Sequence, residues 1–98
     1  MEQLLFPQAP LPQTRAQRRF SYLASRRSMA EMERVLHRFL SRELTNMEDA
    51  ECLRMEAVLQ HSDADLLDWM TGIKPVPGDV DGDALARLAL YARESFES

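Results

Sequence analysis

The sequence predicts an all-α fold, a compact bundle of about five short helices. Three observations carry that reading. Apolar residues recur at i, i+3, i+4 and i+7 in successive segments, helix-capping residues stand where those segments begin, and no stretch alternates with period two. The chain has 98 residues, enough for one domain, and its 45% hydrophobic content sustains a core and argues against disorder over most of its length.

Residues 1–14 contain Pro7, Pro10 and Pro12, which forbid a continuous helical ladder, so a flexible tail is expected there and a single helical domain over residues 15–98. Thr14 caps a first helix from about Arg15 to Ser25, with Phe20, Leu23 and Ala24 inward and Arg18, Arg19 and Arg26 outward. Ser28-Met29-Ala30-Glu31 reads as a capping box opening a helix from about Met29 to Arg42. Met29, Met32, Val35, Leu36, Phe39 and Leu40 form one stripe of that helix.

A second box, Thr45-Asn46-Met47-Glu48, starts a helix to about Leu59. Leu53, Val58 and Leu59 are its expected core positions, with Met55 poorly aligned to them. Ser62 caps a short helix from Asp63 to Thr71, ended by Gly72 and Pro75. After a Pro/Gly loop, a last helix runs from about Asp83 to Ser95 with Leu85, Leu88, Ala89, Ala92 and Phe96 on one side.

Charge is divided unevenly along the chain. Residues 1–42 hold eight Arg against three Glu, a net of +5, and residues 43–98 hold four basic and thirteen acidic side chains, a net of −9; together they give −4. Such polarity steers encounter with a charged partner. A nucleic-acid binder usually has a basic overall balance, whereas this chain has a pI near 5.1, so nucleic acid is not the expected partner.

Chemistry-bearing constellations are absent. His37 and His61 have no second His or Cys at ligand spacing, and one cysteine, Cys52, cannot build a disulfide or a multi-cysteine site. Asp79 to Asp83 begins like a calcium loop, but Ala84 stands where glycine is required and Leu90 where a bidentate glutamate is required. No Ser-His-Asp or Cys-His arrangement is signalled, and three glycines do not make a phosphate loop. Trp69, Cys52 and the methionines read as core residues. With no secretory signal and no apolar run of the roughly 18–20 residues a membrane span needs, a cytoplasmic non-enzyme without membrane partners is expected.

Two blocks carry a family resemblance. Arg18-Arg19-Phe20-Ser21-Tyr22-Leu23-Ala24-Ser25-Arg26-Arg27-Ser28-Met29-Ala30-Glu31-Met32-Glu33 and Asp63-Ala64-Asp65-Leu66-Leu67-Asp68-Trp69-Met70-Thr71-Gly72, followed by Pro75, resemble the succinate dehydrogenase assembly factor family in order and spacing. The family motif is Arg-Gly-x-x-Glu-Leu-Asp; Arg27 and Glu31 match it, while Ser28, Met32 and Glu33 replace its Gly, Leu and Asp.

The resemblance implies a helical, monomeric chaperone. Its partner would be the flavoprotein subunit of succinate dehydrogenase or fumarate reductase, whose covalent flavinylation it promotes. The FAD belongs to the client, and no cofactor is expected on this chain. Under that resemblance, Tyr22, Arg26, Arg27, Ser28, Glu31 and Glu33 form the client-facing surface. The competing readings are an antitoxin-like or regulatory module using the Arg-rich first helix, and a member of the same family serving a different flavoprotein.

Overall fold

The computed structural model describes residues 11, 12 and 14–97. Five α-helices follow one another: α1 (Arg15–Ala24), α2 (Ala30–Glu43), α3 (Asp49–Val58), α4 (Asp63–Met70) and α5 (Gly82–Glu97), with a 3-10 turn at Leu44–Asn46 between α2 and α3. The described residues contain no strand, as the sequence predicts. Apart from Leu11, Pro12 and Thr14, the expected tail lies outside the described residues, as does the side chain of Phe96.

The helix starts show which capping signals operate. Thr14 accepts the Gln17 amide at 3.0 Å, and the Gln17 side chain accepts the Thr14 amide in return, a full capping box. Ser62 caps α4 by accepting the Asp65 amide at 3.1 Å. The expected box at Thr45 is displaced: Leu44–Asn46 tightens into the 3-10 turn, and Glu48 and Glu51 form the box that opens α3. The expected box at Ser28 is absent as well, because α2 starts one residue later, with Met29 as a cap that offers no side-chain hydrogen bond. A carboxylate from α4 instead accepts the Ser28 and Met29 amides just before the helix. Gly72 ends the α4 region at φ +82°, the left-handed conformation that favours glycine.

Packing pairs α2 with α5 and α1 with α3, while α5 also meets α3 and α4. The α2 stripe behaves as its spacing requires, with Met32, Val35, Leu36, Phe39 and Leu40 fully buried. Phe39 is the hub: its ring meets Phe20 of α1 edge-on at 6.0 Å and Tyr91 of α5 edge-on at 5.4 Å.

The α3 expectation needs correction. Leu53 is exposed, and Met55, whose spacing fits the stripe poorly, is buried together with Cys52, Val58 and Leu59. Helix α3 packs against α1 on one side and α5 on another, so its buried residues need not share one stripe. On α1, Leu23 is only half-buried, while polar Gln17 and Ser21 are buried. The Gln17 amide pays for its burial by donating to the Met47 carbonyl at 3.0 Å.

A polar network ties the other end of the bundle. Glu43 accepts the Tyr91 hydroxyl and pairs with Arg87 at 2.7 Å, while Arg87 reaches Glu51 at 3.2 Å. The Tyr91 hydrogen bond holds the Glu43 carboxyl below the usual carboxylate range, assisted by Arg87 and opposed by burial. Burial pushes the Tyr91 phenol up to about 12, and its bond to the Glu43 carboxylate adds to the rise.

Two predictions follow from this packing. In urea denaturation, Phe39→Ala should lose about 3–5 kcal/mol, whereas Leu53→Ala should stay within about 0.5 kcal/mol of the wild type. The Glu43–Tyr91 bond needs a carboxylate and a neutral phenol. Its stabilisation should therefore be lost on the acid side as pH falls through the depressed pKa of Glu43. On the alkaline side it should be lost between the ordinary phenol pKa of about 10 and the raised value of about 12. Tyr91→Phe should flatten that alkaline limb in stability measured against pH.

Candidate functional site

The turn between α1 and α2 gathers the residues singled out by the motif. α1 closes at Ala24, the Ser25 amide donates to the Ser21 and Tyr22 carbonyls, and the Ser25 hydroxyl donates to the Tyr22 carbonyl at 2.7 Å. The chain then turns through Arg26, Arg27 and Ser28 into α2.

Arg27 turns inward. Its Nε donates to Asp63 Oδ1 at 2.7 Å, Nη1 to the Leu59 carbonyl at 3.1 Å and Nη2 to the His61 carbonyl at 3.1 Å. The Arg27 side chain is only 10% exposed and that of Asp63 only 2%. The second Asp63 oxygen, Oδ2, accepts the Ser28 amide at 2.9 Å, the Met29 amide at 3.0 Å and the Ser28 hydroxyl at 3.3 Å. One carboxylate thus neutralises the arginine and caps the start of α2, where the helix dipole favours a negative charge. The same arginine fork satisfies two carbonyls where α3 runs out, and Asp63 itself is the first residue of α4. Four chain segments meet at this clasp.

The other motif residues face solvent. Tyr22 is half exposed, and the exposed Arg26 guanidinium lies over its ring at 5.2 Å from the centroid. Arg15, Arg18, Arg19, Tyr22 and Arg26 are exposed at i, i+3, i+4, i+7 and i+11, so α1 carries an outer basic and aromatic stripe opposite its buried face. Arg19 crosses to α3 and pairs with Glu56 at 2.9 Å, and the other Glu56 carboxylate oxygen is buried without a hydrogen-bond partner.

Glu31 and Glu33 are exposed in the first turns of α2, and neither belongs to any of the ion pairs among the described residues. Two positions apart on a helix is a rotation of about 200°, so they flank the buried stripe on opposite sides. Arg27 meets Asp63 rather than Glu31, the other residue that matches the motif. Ser28 is exposed, and among the described residues no non-glycine has positive φ, so the backbone at this position needs no glycine.

Among the six expected surface residues, the structure therefore joins Tyr22 to Arg26 and Arg27 to Ser28, and leaves Glu31 and Glu33 apart. Asp63 escaped the sequence reading. As the acid following a Ser N-cap it reads as ordinary first-turn charge, and nothing local marks a carboxylate that bonds to residues 34–36 positions earlier in the chain.

Elsewhere the chemistry is spare. Among the described residues, no three His, Cys, Asp or Glu side chains gather as a metal site. Burial pushes the Cys52 thiol up, with Asp49, Glu56 and Glu51 adding to the rise, which is the opposite of what a nucleophile requires. Half-buried Trp69 packs on the core and meets the His61 ring edge-on at 5.0 Å. No helix of the described residues is long and apolar enough to cross a membrane.

A family model described as flavinator of succinate dehydrogenase matches residues 18–92, a span that includes the α1–α2 turn and Asp63. No curated protein and no solved structure matches the chain.

The clasp and the surface should separate in thermal or urea unfolding. Arg27→Ala leaves the Asp63 charge buried without its cation and should cost about 3–5 kcal/mol. Arg26→Ala removes only an exposed ring contact and should cost less than about 1 kcal/mol.

Proposed function

The chain belongs to the family of succinate dehydrogenase flavinators, and from that premise we propose that it binds the unassembled flavoprotein subunit of succinate dehydrogenase or fumarate reductase and promotes covalent attachment of FAD. The observation that carries this reading is the family match over residues 18–92, which spans an exposed corner built from the motif residues. The protein acts as an assembly factor in the cytoplasm, as a monomer, and leaves the bond-forming chemistry to its client.

Its contribution is orientation. A rigid helical body laid across the client holds the client's domains so that its acceptor histidine and the flavin meet in reactive geometry. Client binding then selects the arrangement that the docked state favours.

The docking edge comprises Tyr22, Arg26, Ser28, Glu31 and Glu33, with Arg27 supporting it from behind. Exposed Tyr and Arg in contact with each other are the residue types that dominate binding when an interface covers them. Arg15 and Arg18 extend the edge along α1 and supply steering charge.

The same arginines underlie a second reading, a nucleic-acid-binding or antitoxin-like module, for which a gel shift would show affinity falling steeply with salt. The acidic charge of residues 43–98 disfavours an extended polyanion.

The test is co-expression with a flavoprotein subunit in cells lacking their own factor, read by flavin fluorescence of the denatured subunit in a gel. Wild-type protein should raise covalent flavin, and Arg26→Ala and Glu31→Ala should each lower it with helicity unchanged. Complex formation should weaken as ionic strength rises. A wild-type chain that leaves covalent flavin unchanged removes the proposed function; two variants as active as wild type remove the proposed surface.

A further inference from the structure

Resting on the reading above, we infer that Asp63 is a positioning residue for docking: it acts through Arg27 and through the Ser28 and Met29 amides to fix the α1–α2 corner presented to the client. Three features of the geometry support this. Asp63 is almost fully buried, so it cannot itself be a contact residue. Both its oxygens are occupied by the turn: Oδ1 takes Arg27 Nε, and Oδ2 takes the Ser28 amide, the Ser28 hydroxyl and the Met29 amide. Those bonds fall on the residues between exposed Arg26 and exposed Glu31, which nothing else among the α2 capping groups restrains.

A turn joining two helices is otherwise a place where backbone geometry drifts. Here the far end of the restraint is α4, which packs against α5, so the corner is referenced to the body of the bundle rather than to its own local sequence. The two sequence blocks that carry the family resemblance are thereby one physical unit, since the first residue of the second block holds the arginine of the first.

The matched carboxamide, Asp63→Asn, keeps the shape and one acceptor while removing the charge. Its effect is compared with Leu88→Ala, a cavity in the buried core on α5, a helix that holds none of the corner residues. Affinity for the purified flavoprotein subunit is measured at a temperature where circular dichroism shows every variant folded.

Asp63→Asn should bind on the order of 10- to 100-fold more weakly, the scale of loss that a small misplacement of a positioned group produces. Leu88→Ala should bind like the wild type despite its lower stability. If Asp63 acts through the corner, adding Glu31→Ala to Asp63→Asn should cost much less than Glu31→Ala costs alone.

Hydrogen exchange supplies a readout independent of the client. The Ser28 and Met29 amides should be protected in the wild type and exchange faster in Asp63→Asn, with the interior amides of α2 unchanged. Equal exchange in the two proteins overturns the clasp. Normal client affinity in folded Asp63→Asn overturns its positioning role. Failure of the wild-type chain to bind the subunit, with the amides behaving as expected, overturns the proposed function and the role in docking while leaving the clasp in place.

Discussion

One buried ion pair organises the site. Arg27 and Asp63 bring together the end of α1, the start of α2, the end of α3 and the start of α4. Each of those places carries backbone groups that a helix leaves without partners. A buried pair is weak evidence for stability when its gain is only Coulombic, because desolvation offsets the attraction. Here all three guanidinium nitrogens and both carboxylate oxygens are used: the guanidinium satisfies two carbonyls and the carboxylate, and the carboxylate also satisfies two amides and a hydroxyl. The pair therefore specifies an arrangement of four segments as well as contributing energy.

Much of the fold was legible because it rests on local rules. All five helices follow from periodicity and punctuation, and the α2 stripe is fully buried from Met32 to Leu40, with Met29, its first expected member, only partly buried before the helix begins. The failures have a common cause. Ser28 looks like a cap by its local sequence, yet its hydroxyl donates to a distant carboxylate that also takes the Ser28 and Met29 amides, so it does not cap the helix that follows. Leu53 and Met55 exchange the fates their spacing suggests because α3 is packed on two sides, so a single stripe is the wrong template for it. Gln17 is buried because a carbonyl thirty residues away needs its donor. Tertiary demand overrode local propensity in each case.

The candidate site divides along the same line. Tyr22 and Arg26 are exposed where helical spacing from Arg15 puts them, and the stripe of arginines needs no tertiary knowledge to read. The role of Arg27 was hidden, since an arginine in a turn reads as solvated until its partner is known. The charge division of the chain is partly spent inside the molecule as well. Arg19, Arg42 and Arg38 from the basic part pair with Glu56 and Glu94 from the acidic part. The basic surface left over is concentrated on α1 and the turn after it, next to the motif.

Serine in place of the family's glycine bears on what that position is for. Glycine is needed where φ is positive or where another backbone approaches closely. Ser28 has no positive φ, its amide makes the bond to Asp63 that any residue could make, and its hydroxyl points to the same oxygen. The conformational explanation therefore fails for this chain, and clearance on the exposed side of the turn is the explanation left. The Ser28 side chain takes up part of that exposed side without disturbing the clasp beneath it. In this chain, folding of the corner thus rests on the Ser28 amide and hydroxyl and does not require a bare Cα at that position.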